Sequence, residues 1–130
     1  MIKLFIDKDS VIIDNVSMGQ YLLEVEYDYN KLWGNDSGRN LAGEQSGTLI
    51  GIFPKLILHF RSLTKEELEI IVPILDRARQ SVTYYDPNKK QNTIMTTYTG
   101  DYKIINKRII NAYNKNEGFT CSFIAVSKRV

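Results

Sequence analysis

The chain has 130 residues, 43% hydrophobic and 25% charged, with a formal net charge of +2 and one cysteine. That length can build a single domain with its own core, and a lone cysteine excludes an internal disulfide or a thiolate–zinc cluster. No apolar run approaches the ~20 residues of a membrane helix. No charged stretch followed by an apolar one opens the chain as a signal peptide would, so the expected setting is a cytoplasm, with no membrane partner.

The near-neutral total hides an asymmetry. Residues 1–87 carry 9 Lys/Arg against 13 Asp/Glu, whereas residues 88–130 carry 8 against 2. Three readings stand: contact with nucleic acid, complementary surfaces of a head-to-tail assembly, or a solvated basic face.

In chain order, residues 2–6 predict a short strand, 7–9 a polar turn and 10–14 a second strand, an opening hairpin. Asp7 and Asp9 fit that turn better than a cation site, since a calcium loop needs more ligands at fixed spacing. Residues 20–30 alternate cleanly. Tyr21, Leu23, Val25, Tyr27 and Tyr29 share one face and Glu24, Glu26 and Asp28 the other, as in a half-exposed antiparallel strand. Residues 33–47 break the pattern with four glycines, predicting a long flexible loop inside one domain spanning 1–130. It is either a segment that orders on assembly or a plain surface loop. No GK[ST] follows, so it is not a phosphate loop.

Residues 49–60 form a long apolar strand with apolar residues on both faces, covered twice or covered once and buried in a partner. Pro54 predicts an edge, a bulge or a bend there. A helix is expected over about residues 64–79. Thr64 and Glu67 form a capping box, and Leu68, Ile71, Leu75 and Ala78 form its buried stripe. Pro73 predicts a kink or irregular turn near 69–73. Strands follow at 81–85 and 93–98, joined by a turn at 88–91. Residues 102–113 suit a short helix or a bulged strand, the strand being preferred; 114–118 is a turn. The last strand, 119–126, places Phe119, Cys121, Phe123 and Ala125 on one face. The resulting fold class is mainly β (α+β): an antiparallel sandwich or small barrel with one main helix packed against it.

Catalytic chemistry is not visible. His59, the only histidine, lies among apolar residues and reads as structural. Glu24 and Glu26 on an open strand read as solvated rather than as an acid–base pair, which needs carboxyls across a cleft. Cys121 reads as a buried thiol. No nucleophile elbow, HExxH, CxxC, Walker or Rossmann pattern occurs. No catalytic residue, cofactor or metal ligand is therefore expected.

Three runs in order carry a resemblance over about residues 39–101. They are Arg39-Asn40-Leu41-Ala42-Gly43, then an apolar strand leading into Leu63-Thr64-Lys65-Glu66-Glu67-Leu68, then Val82-Thr83-Tyr84-Tyr85-Asp86-Pro87, with a strand pair and glycine turn at 93–101. In this the chain resembles a family of small structural proteins from the tail modules of tailed bacteriophages and prophages. It departs from that pattern at Pro73 and from Tyr102 onward. The resemblance implies a non-enzymatic virion protein of the tail or baseplate, assembled in the host bacterial cytoplasm as a homo-oligomer such as a ring, and contacting other tail proteins. The interface candidates are Trp33, Arg39, Asn40, Gly43, Lys107 and Arg108; Trp and Arg are residue types that favour interfaces. The alternative is a small nucleic-acid-binding β-barrel using Tyr102, Lys103, Lys107, Arg108 and Lys115 in the basic C-terminal third.

Overall fold

The computed structural model describes residues 6–34, 38–39, 45–109 and 113–129. In chain order it contains β1 (Ile12–Ile13), β2 (Val16–Ser17), β3 (Leu22–Trp33), β4 (Gly38–Arg39), β5 (Gln45–Ser46), β6 (Leu49–Phe60), α1 (Lys65–Leu75), β7 (Gln80–Asp86), β8 (Gln91–Thr99), β9 (Asn106–Ile109), β10 (Tyr113–Asn116) and β11 (Thr120–Ala125). Seven strands form one sheet in the order β2-β1-β7-β8-β11-β6-β3; β4–β5 and β9–β10 are separate two-stranded pairs. Every pairing in the main sheet is antiparallel. The fold is mainly β with one α-helix.

The sheet is strongly curled. β3 and β7 lie four strand steps apart, about 19 Å in a flat sheet, yet the rings of Tyr27 on β3 and Tyr84 on β7 lie 6.5 Å apart. Arg129 spans the same gap, with its guanidinium 5.6 Å from the Tyr29 ring centroid and 3.4 Å from Asp86 Oδ1. The concave side holds the core, which includes Leu56, Leu58, Phe60, Val82, Tyr84, Cys121 and Phe123. Period-two alternation on β6, β7 and β11 delivers these residues inward.

α1 plugs one end of this half-barrel. Ile71, Ile74 and Leu75 are buried, at the end where β7 begins and β8 stops. The Thr64–Glu67 capping box forms in both directions. The helix is shorter than predicted, stopping at Leu75 rather than near 79. Buried Gln80 ends it by donating its side-chain N–H groups to the Ile74 and Arg77 carbonyls at 3.0 and 2.8 Å, satisfying backbone acceptors that every helix end leaves free. Ala78 is consequently exposed, and Ile74 takes its place in the stripe. Pro73 sits in the last turn without interrupting the helix. Pro73 and Glu69 are both exposed, so water reaches the Glu69 carbonyl that the missing N–H would have engaged.

Other expectations shift by register. The first predicted strand, 2–6, lies almost entirely outside the described residues. The hairpin seen is β1–β2, turning at Asp14 and Asn15, whose φ values of 49° and 70° suit the tight turns that join twisted strands. On β3 a bulge between Leu22 and Glu24 sends Leu22 inward and leaves Leu23 69% exposed, so Leu23 does not share the tyrosine face. Residues 114–116 continue β10 rather than forming the expected turn over 114–118; of the described residues of the 102–113 stretch, 106–109 and 113 are in strands. Pro54 is buried on an interior strand. The even-numbered residues of β6 direct their backbone groups toward β11, as the bonds Phe60 N to Phe119 O and Arg129 N to Ile52 O show. The β11 ladder ends at Lys55, so proline falls one residue beyond it and removes no ladder bond.

Candidate assembly surface

The convex face of the sheet divides into two halves. Away from the start of β3 and the end of β6, an apolar groove is lined by residues including Leu32, Phe53, Tyr98, Ile124 and Val126. They come from β3, β6, β8 and β11, and the residue following β11. Cross-strand register brings them together: Ile124 faces Tyr98 on one side and Lys55 on the other. Leu32, Tyr98 and Val126 are 47%, 42% and 40% exposed. Beyond the end of the β11 ladder, β3 and β6 continue as a two-stranded arm, with the C-terminal segment alongside as far as the Arg129–Ile52 bond. The arm's end carries Trp33 and Leu49, paired after a register shift; both are exposed, as is Ile50.

Nearer α1, the convex face is polar. Glu24, Glu26 and Asp28 point outward from β3, opposite His59, Ile57 and Lys55 of β6. His59 is thus in the middle of a polar row rather than among apolar neighbours. Its Nε2 lies 3.1 Å from Glu26 Oε1, and its Nδ1 lies 3.2 Å from Thr120 Oγ1. Sequence reading missed this cluster because its members meet only through strand pairing.

Of the six interface candidates, four lie among the described residues, in three different strands. Trp33 is at the arm's end. Arg39 is in β4, opposite Gln45 of β5, within the 33–47 segment that joins the two arm strands. Asn40 and Gly43 lie outside the described residues. Lys107 and Arg108 are in β9, opposite Lys115 and Asn114 of β10, in a different sheet.

Elsewhere among the described residues, several charged and nucleophilic groups are held in packing or hydrogen-bonded contacts. Burial pushes the Cys121 thiol up to about 12, so it stays protonated and inert near neutrality. The Arg61 guanidinium, followed by the Thr64 backbone N–H, holds Glu67 down at about 2, tying the end of β6 to the helix cap. The Asp76 carboxylate beside its hydroxyl is the main cause holding Tyr102 up at about 12. Desolvation, then the Asp86 charge, does the same for Tyr84. No helix among the described residues is long and apolar enough to cross a membrane. No family model matches the chain, and no curated protein is significantly similar to it.

Proposed function

We propose that this protein is a non-enzymatic structural component of a bacteriophage tail or baseplate, one that self-associates into a homo-oligomer such as a ring and contacts other virion proteins. The observation that carries the self-association is the exposed apolar band across the outer half of the sheet, beside an arm ending in Trp33 and Leu49. Contiguous apolar surface of this kind on a small domain marks an interaction site. The virion context rests on the resemblance carried by the Arg39–Gly43, Leu63–Leu68 and Val82–Pro87 runs. Its place of assembly would then be the host cytoplasm and its destination the tail. Complementary acidic and basic parts of the chain suit the head-to-tail interfaces from which closed rings are built.

A second reading, a small nucleic-acid-binding barrel, rests on the β9–β10 hairpin, whose sequence includes Lys107, Arg108 and Lys115 and no acidic residue. Native mass spectrometry over a salt series, with negative-stain images of the same sample, separates the two. A defined closed oligomer supports the building block. A monomer whose affinity for single-stranded nucleic acid falls steeply with salt supports the barrel.

A further inference from the structure

We propose that Glu24, Glu26 and His59 form a binding site for a divalent transition-metal ion, Zn2+ by its donor set, on the convex face near α1. The argument begins with register. Glu24 on β3 is directly opposite His59 on β6, and Thr120 on β11 is directly opposite His59 on the other side. Glu26 lies two residues along β3 from Glu24, hence on the same face and diagonal to His59. The three ligands are therefore placed by the pairing of two neighbouring strands, β3 and β6, with Thr120 of β11 beside them, and not by a loop.

The distances suit a shared ion. One ligand atom from each residue lies within 4.8 Å of the others. Zinc–nitrogen and zinc–oxygen bonds of ~2.0–2.1 Å put two ligand atoms about 3.0 Å apart at a right angle and about 3.4 Å apart at the tetrahedral angle. His59 Nε2 and Glu26 Oε1 stand 3.1 Å apart, inside that window. Glu24 Oε1 is 3.8 Å from the ring at Nδ1, the nitrogen away from the ion, and its side chain is 65% exposed, so joining the site requires its carboxylate to turn toward Nε2.

Thr120 supplies the outer support. Its hydroxyl oxygen, 3.2 Å from Nδ1, can accept the ring N–H and leave the Nε2 lone pair for the metal, the arrangement that orients histidine ligands in metal sites. An imidazole with two carboxylates suits zinc and its neighbours, whereas Mg2+ and Ca2+ prefer oxygen ligands throughout. Three protein ligands leave the remaining coordination positions facing solvent, to be filled by water.

The chain without a polyhistidine tag is titrated with ZnCl2 by calorimetry, while NMR follows the ring signals of His59, the only histidine. One equivalent binds and shifts those signals. His59→Gln and Glu26→Gln each weaken binding at least tenfold, Thr120→Val weakens it about tenfold, and equimolar Mg2+ does not compete. Circular dichroism checks that each variant folds; the wild-type ring signals decide the matter if one does not. Ring signals unmoved at millimolar Zn2+ overturn the proposal and leave a plain cross-strand hydrogen bond. Undiminished binding in folded His59→Gln overturns it equally.

Discussion

Replacing three exposed apolar side chains of the groove, as Leu32→Ser/Tyr98→Ser/Val126→Ser, tests the assembly surface directly. Each is 40–47% exposed in the single chain, so roughly half of its burial remains to be gained on contact. Full burial of a large apolar side chain contributes about 1.5–3 kcal/mol, so each residue adds about 1 kcal/mol and the three together about 3 kcal/mol per protomer. At about 1.4 kcal/mol per decade, the variant's dissociation constant rises on the order of a hundredfold. Sedimentation equilibrium of wild type and variant, over the same concentration range, measures the change. The other half of each side chain's burial is already made within the monomer, so the substitutions should also cost the folded monomer about 1 kcal/mol per site; a urea melt of each measures this and keeps it separate from the association. An association constant unchanged by the triple substitution would refute the reasoning, as would a wild type that stays monomeric at hundreds of micromolar.

Phe60→Ala removes a buried ring stacked on Phe119 at 4.8 Å and should cost about 3–5 kcal/mol in urea denaturation. Gly118→Ala would put a Cβ 2.2 Å from the Phe60 carbonyl oxygen; the strand must shift, and a thermal melt should show a loss of about 2 kcal/mol or more. Glu67 has a depressed carboxyl in the folded chain, about 2 against 4.5, so its stabilising effect is complete above pH 4.5 and fades as pH falls toward 2. Glu67→Gln should therefore be less stable than wild type at pH 7, and the gap should narrow between pH 4.5 and 2; a constant gap across that range would count against the Arg61–Glu67 link.

The features legible in the sequence are those fixed within one segment. The Thr64–Glu67 capping box reads directly because both partners sit within one helical turn, and the inward face of β11 reads from the alternation of Phe119, Cys121, Phe123 and Ala125. What the sequence hid depends on distant partners. The bulge at Leu23 changes the parity of β3, and only its register against β6 reveals it. The early end of α1 follows from Gln80, a residue of the next strand. His59 looked buried among its own apolar neighbours, yet Glu24, Glu26 and Thr120 come to it from other strands. The interface candidates were chosen by residue type, so nothing required Trp33 in the arm and Lys107 in a separate hairpin to be near each other.

The position of β11 bears on how the chain reaches this fold. β11 lies between β6 and β8 but follows both in sequence, so the sheet cannot close while the chain is emerging in order. Until β11 inserts, β3–β6 and β1–β2–β7–β8 are two half-sheets, each with an open hydrogen-bonding edge facing the other. Joining them requires pairings between distant segments, which slow folding. Open edges are also where a second chain can pair instead. In a crowded synthesis site, the intermediate awaiting its middle strand is the species most prone to exchange β11 with a neighbouring copy.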